Sequence, residues 1–195
     1  YYLIGMISKV LLDSDVGGKI IHDPRLIWNT QQEVHSYDGQ PIQSKAGHSF
    51  IKERMREHAA VYGGEMSGHH YFRDFYFSDS GMIPWLLVTQ IMSKASQPLS
   101  SLTSERMQQY PISGEINVKV KNPIELLERI KEQYLEQSVS IDDLDGYSFD
   151  LSSWRFNLRM SNTEPLVRLN VESRADRELL MKKTDEILDF IEKFK

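Results

Sequence analysis

The sequence predicts an α/β domain, a mixed and mostly parallel sheet with helices on both faces, followed by a small α+β domain. Three observations lead there. Through the first half, short apolar runs alternate with segments of helical periodicity, which implies βα units around a parallel sheet. The first-half strands run into polar loops, as they do where such sheets build their sites. Near Ser113-Gly114 the order changes to one strand, one helix, a run of strands and a closing helix. The expected domains are therefore residues 1–113 and 114–195.

Taken in order, Leu3, Ile7, Val10 and Leu11 share one helical face, and Gly17-Gly18 ends that helix. Ile20 and Ile21 mark a short strand, Asp23-Pro24-Arg25 a turn, and a helix runs from about Trp28 to Gly39. A second strand covers residues 41–44, and Gly47-His48 opens a helix with Phe50, Ile51 and Met55 at helical spacing. Val61-Tyr62-Gly63-Gly64 reads as a third strand, and residues 71–77 as an aromatic strand or hairpin. Asp79-Ser80-Gly81 caps a helix carrying Ile83, Leu87 and Ile91, with Pro84 tolerated in its first turn. Gln97-Pro98 breaks it before a shorter helix that ends at Tyr110-Pro111.

In the second half Ile116, Val118 and Val120 alternate as a strand. Asn122-Pro123-Ile124-Glu125 supplies a capping residue, a first-turn proline and a glutamate three residues on, so a helix with Leu127, Ile130 and Tyr134 follows. Residues 139–142 and 147–151 flank an Asp145-Gly146 hairpin turn. Two more alternating strands, residues 154–158 and 167–171, precede a last helix over roughly residues 176–194.

At 195 residues, 40% apolar and 26% charged, the chain has the composition of a soluble globular protein of one large or two small domains. No run approaches the roughly 18 apolar residues of a membrane span. A net charge of −5 argues against nucleic acid, whose binding rests on a basic surface. The absence of cysteine excludes disulfides and thiolate metal sites and fits the cytoplasm. The start at Tyr1 reads as the middle of something, so a piece of a longer protein is expected.

Two stretches concentrate chemistry. Arg159-Met160-Ser161-Asn162-Thr163-Glu164-Pro165-Leu166-Val167-Arg168 sets two arginines, two hydroxyls and an amide around a loop between strands. Guanidinium forks match phosphate oxygens in a bidentate way, so the stretch reads as an oxyanion clamp; an exposed hairpin with salt-bridged arginines is the alternative. Gly64-Glu65-Met66-Ser67-Gly68-His69 places a carboxylate, a hydroxyl and an imidazole between glycines. A carboxylate accepts hydrogen bonds through two oxygens and suits neighbouring sugar hydroxyls, or else Glu65 is simply solvated and His69 structural. His48, His69 and His70 match no recognised metal spacing, so no metal site is expected, and P-loop, dinucleotide and nucleophile-elbow motifs are lacking.

Gly64-Glu65-Met66-Ser67-Gly68-His69 resembles the sugar-binding loop of the α-D-phosphohexomutases, and Arg159-Met160-Ser161-Asn162-Thr163-Glu164-Pro165 with Arg168 resembles their phosphate-binding loop. The resemblance extends to Lys45-Ala46-Gly47-His48-Ser49 and Asp79-Ser80-Gly81, and covers the third and fourth of the family's four domains. It implies an α/β third domain and a fourth domain similar to the TATA-binding-protein fold. It also implies that the family's phosphoserine loop and magnesium loop belong to amino-terminal domains of the same chain, absent here. Met66 narrows the resemblance to the phosphomannomutase branch, with phosphoglucomutase or phosphoglucosamine mutase, or a free-standing sugar-phosphate-binding module, as alternatives. The implied reaction interconverts mannose 1-phosphate and mannose 6-phosphate, and admits glucose phosphates, through a sugar bisphosphate with Mg2+ as cofactor, in the supply of GDP-mannose. Carried over residue by residue, Glu65, Ser67, His69, Arg25 and His48 would hold the sugar. Arg159, Ser161, Asn162, Thr163 and Arg168 would hold phosphate, and no catalytic residue or metal ligand falls in this chain.

Overall fold

Ile20 and Ile21 are adjacent on one strand, point to opposite faces, and are both fully buried. A sheet holding such a pair must be covered on both sides. The computed structural model describes residues 1–161 and 164–195. They form two compact units, Tyr1–Met107 and Gln108–Lys195.

In the first unit α1 (Tyr2–Leu12) leads to β1 (Lys19–His22), α2 (Trp28–Ser36), β2 (Gln40–Gln43), α3 (His48–His58) and β3 (Tyr62–Gly64). Then come β4 (His70–Phe72), one turn of 3-10 helix (Arg73–Phe75), β5 (Ser78–Asp79), α4 (Met82–Ala95) and α5 (Leu99–Gln109). The sheet order is β2-β1-β3-β4-β5. β1 runs parallel to β2 and β3, whereas β4 is antiparallel to β3 and β5. The sheet is therefore mixed, as expected, parallel across β2, β1 and β3 and antiparallel across β3, β4 and β5. The connection after β3 is a tight turn, with Glu65 N–H donating to His69 O at 3.0 Å, and it is too short for a parallel crossover.

The glycines of β3 locate the two helical layers. A Cβ on Gly63 would lie 2.8 Å from Ile51 and 2.9 Å from Met55 of α3. One on Gly64 would lie 2.9 Å from Ile4 of α1. Ile4, Ile7, Ile20, Tyr62 and Phe72 form the core on the α1 side, and Ile21, Ile51, Met55 and Tyr71 the core on the α3 side. Helices therefore cover both faces, as expected. Residues 71–77, expected as one strand or hairpin, instead hold the 3-10 turn and left-handed Tyr76 and Phe77 (φ 55° and 58°) between β4 and β5.

The second unit contains β6 (Ile112–Lys119), α6 (Pro123–Tyr134), β7 (Ser140–Asp142), β8 (Tyr147–Asp150), β9 (Trp154–Met160), β10 (Leu166–Ser173) and α7 (Arg177–Glu192). Its sheet is antiparallel throughout, in the order β6-β10-β9-β8-β7. Ser113 and Gly114, where the sequence pattern changes, lie inside β6. Asn122 caps α6, its side chain accepting from Glu125 N–H at 3.2 Å with Pro123 in the first turn. Asp176 caps α7 in the same way through Leu179 N–H at 2.8 Å. Leu126, Ile130 and Tyr134 of α6 join Leu180, Ile187 and Ile191 of α7 and Phe156, Leu158, Val167 and Leu169 of the sheet in one core. Both helices thus cover the same face, the α+β arrangement expected. Among the described residues no helix is long and apolar enough to cross a membrane.

Candidate functional site

Three loops leave the carboxyl ends of the parallel strands β1, β2 and β3, and strand direction alone sets them side by side. After β1, Asp23 and Arg25 are both buried, at 2% and 3% exposure. Asp23 Oδ1 accepts from Arg25 Nε at 3.0 Å, and Oδ2 accepts from Arg25 Nη2 at 2.9 Å. Oδ2 also accepts from Met66 N–H of the third loop at 2.6 Å. Burial alone would raise the Asp23 carboxyl, but the Arg25 charge and these hydrogen bonds outweigh it and hold it below the ordinary aspartate value. The fixed guanidinium faces the third loop, its Nη2 3.5 Å from Ser67 Oγ.

Glu65 joins the second and third loops. Gly47 N–H donates to its Oε1 at 2.6 Å, and the Tyr71 hydroxyl donates to its Oε2 at 2.7 Å. Burial, then the hydrogen bond and charge of Glu65, push the Tyr71 hydroxyl well up, so Tyr71 stays a donor. Each carboxylate oxygen keeps a second lone-pair direction for a ligand hydroxyl. Glu65 is therefore buried and hydrogen-bonded rather than solvated, at 3% exposure.

His69 Nδ1 lies 2.8 Å from Asp79 Oδ2, and Asp79 Oδ1 accepts from His70 N–H at 2.9 Å. Burial raises the Asp79 carboxyl, but the His70 amide and the two imidazoles bring it below its ordinary value. The His48 ring packs 4.4 Å from that of His69 and edge-on to Tyr71 at 5.4 Å. His70, sequence neighbour of His69, turns the other way: its Nδ1 is 2.6 Å from the Tyr62 hydroxyl, and burial lowers the imidazole to about 4. Of the three histidines grouped in the sequence, His48 and His69 share the site and His70 belongs to the core. His48, His69 and Asp79 offer one ligand atom each within 4.8 Å of one another. Two imidazoles and one carboxylate suit a borderline cation such as zinc; magnesium demands oxygens. This donor set does not fit magnesium.

In the second unit, Arg159 of β9 and Arg168 of β10 stand directly opposite each other. Ser161 N–H donates to Leu166 O at 2.9 Å and closes the connection between the strands. Glu115 of β6 reaches both guanidinium groups, at 3.3 Å each, through different oxygens. Both Nε atoms are buried and make no hydrogen bond among the described residues. Two guanidinium groups side by side, their side chains 13% and 31% exposed, present terminal N–H donors of the kind that can bind an anion with several oxygens. Asn162 and Thr163, expected beside them, lie outside the described residues.

The structure thus brings Arg25, His48, Glu65, Ser67 and His69 together in one unit, and Arg159, Ser161 and Arg168 in the other. Sequence reasoning gave no site role to Asp23, Asp79, Tyr71 and Glu115; the first three each contact one of the named residues and Glu115 contacts two. Asp23, two positions before Arg25, and Asp79, inside the Asp79-Ser80-Gly81 stretch, carried local signals.

A family model described as phosphoglucomutase/phosphomannomutase, alpha/beta/alpha domain III, matches residues 1–110, and one described as the C-terminal domain of the same proteins matches residues 115–190. A phosphomannomutase of Escherichia coli is 55% identical over 188 residues, an alignment covering 96% of this chain and 41% of that protein. A Xanthomonas campestris protein named for phosphohexose mutases is 51% identical over 191 residues, covering 98% of this chain and 43% of that one. The crystal structure of a phosphoglucomutase/phosphomannomutase family protein from Burkholderia thailandensis superposes with a TM-score of 0.82 at 23% identity, over 98% of this chain and 41% of that one. The chain spans about two-fifths of the length of the curated relatives it matches.

Proposed function

The chain belongs to the phosphoglucomutase/phosphomannomutase family, and on that premise we propose that it is the substrate-gripping half of a phosphomannomutase that also accepts glucose phosphates. The observation that carries this reading is the directly opposed pair Arg159 and Arg168, whose side chains remain partly exposed. With Ser161, Asn162 and Thr163 they hold the phosphate that is not reacting. In the first unit Glu65 and Ser67 hold sugar hydroxyls, with Arg25, His48 and His69 around them. Asp23 keeps Arg25 aimed at Ser67, and Asp79 orients the His69 ring.

Interconversion of a 1-phosphate and a 6-phosphate by two phosphoryl transfers passes through a sugar bisphosphate. The sugar must present either end to the same chemistry, so the holding groups have to be indifferent to which phosphate they grip. Paired guanidinium forks meet that need, because they read the phosphate and not the sugar. The nucleophile and the magnesium that offsets charge on the transferring group are assigned to the part of the relatives this chain does not span. On this reading the chain alone has no mutase activity.

The test is binding to this chain of inorganic phosphate and of mannose 6-phosphate. A charge-assisted hydrogen bond is worth roughly 1.5–3 kcal/mol, so Arg168→Ala should weaken both ligands by about ten- to a hundredfold. Glu65→Gln should weaken the sugar phosphate and leave inorganic phosphate nearly unchanged. Equal loss of inorganic phosphate in the two variants would refute separate sugar and phosphate sites.

A further inference from the structure

The face of the second sheet away from its helices carries a ladder of opposed polar pairs across β9 and β10. Arg155 stands opposite Glu172, Asn157 opposite Asn170, and Arg159 opposite Arg168. The first pair is a buried ion pair at 2.8 Å. The last brings like charges together, an arrangement that costs stability in a sheet. The carboxylate that answers both is Glu115, one strand over on β6. Its two contacts of 3.3 Å are long for charge-assisted hydrogen bonds. Neither uses an Nε atom, since each comes from a terminal nitrogen of its guanidinium. Glu115 therefore cancels one of the two positive charges while contacting only one terminal nitrogen of each guanidinium.

We propose that Glu115 sets the affinity of the arginine pair for a phosphate dianion and keeps it moderate, so that a bound phosphate group can leave. The inference rests on the phosphate reading above and deepens it. Two uncompensated guanidinium groups would hold a dianion tightly, and a sugar bisphosphate that must detach and return with its ends exchanged would be trapped. One carboxylate beside the pair weakens the grip without reshaping the forks. Glu115 acts through the arginines and is a positioning residue that also adjusts their net charge.

Inorganic phosphate is the probe, titrated calorimetrically at low ionic strength into the 195-residue chain. Glu115→Gln keeps the size and removes the charge, and should bind phosphate about three- to tenfold more tightly, the scale of one screened charge nearby. Asn117 is exposed, two residues along the same face of β6, and opposite Arg168. Asn117→Asp adds a carboxylate there and should weaken phosphate by a similar factor. Glu115→Asp should stay within about twofold, since it retains the charge. A mere tether gives the opposite sign, because arginines that lose their anchor bind less well. If the unaltered chain binds phosphate and Glu115→Gln binds it equally or less well, the inference is wrong and the phosphate reading stands. Phosphate that fails to bind the unaltered chain overturns both. Should Glu115→Gln not fold, Asn117→Asp decides alone, and unchanged or tighter binding there overturns the inference.

Discussion

Asp23 shows how much of the site depends on a single side chain. Its carboxylate holds Arg25 by two side-chain hydrogen bonds and the third loop by one backbone amide, all while buried. Asp23→Asn leaves the Arg25 charge without its carboxylate, and breaking a buried pair in this way costs about 3–5 kcal/mol. Chemical denaturation at neutral pH checks the value, and a loss below about 1 kcal/mol, the size of an exposed pair, would contradict the role given to Asp23. The same side chain predicts a pH dependence. Because its carboxyl titrates lower in the folded chain than in the unfolded one, the unfolded chain binds more protons in acid and stability falls with pH. The contribution is complete above the ordinary aspartate value of about 3.9 and is lost as pH drops through the lower folded value. The Asn variant should lose less stability across that window than the unaltered chain.

At the scale of elements, the hairpin between β7 and β8 bears on the arginine pair from behind. Gly146 has φ +72°, and a Cβ there would lie 2.6 Å from Arg159 Cβ and 2.7 Å from its Cα, and would also meet Leu158 O. Gly146→Ala therefore meets both left-handed strain and a backbone clash, and should cost about 2 kcal/mol or more. It should also displace Arg159 and weaken phosphate. Thermal unfolding with a phosphate titration measures both, and a neutral effect would show that β9 yields freely. The elements themselves were largely legible from spacing. Asn122-Pro123 and Asp176 announce their helices, and Asp145-Gly146 its hairpin, because capping and turn chemistry act within a few residues. The 3-10 turn at Arg73–Phe75 was not legible. Its aromatic neighbours look like strand residues, and what breaks the strand is the left-handed backbone at Tyr76 and Phe77. The sequence likewise names Arg159 and Arg168 but not Glu115, which comes from a strand separated from theirs by a helix and a hairpin. Asp79-Ser80-Gly81 was read as a helix cap, and within it the two side chains divide the work. Ser80 accepts from Ile83 N–H at 3.2 Å, and Asp79 holds His69 instead.

For the molecule as a whole, each unit has its own sheet and its own core. The residues leading into β6 are tied inside the second unit, with Ser173 N–H donating to Pro111 O at 3.1 Å and Ala175 N–H to Gln109 O at 2.8 Å. A polypeptide of residues 108–195 should therefore fold by itself with one cooperative thermal transition. Circular dichroism checks this, and a chain that stays unfolded would mean that the second unit borrows stability from the first. One property of its sheet reaches further. Along β9 and β10 odd and even positions do opposite jobs, apolar toward the helices and polar toward the ladder that ends in Arg159 and Arg168. Losing one residue inside either strand would reverse every side chain beyond the gap, turning leucine and valine toward the anion and arginine into the core. Point changes can be absorbed one at a time, but this strand pair has no viable neighbour a single deletion away. Descendants of this chain are therefore held to a fixed residue count in the strands that carry the arginines.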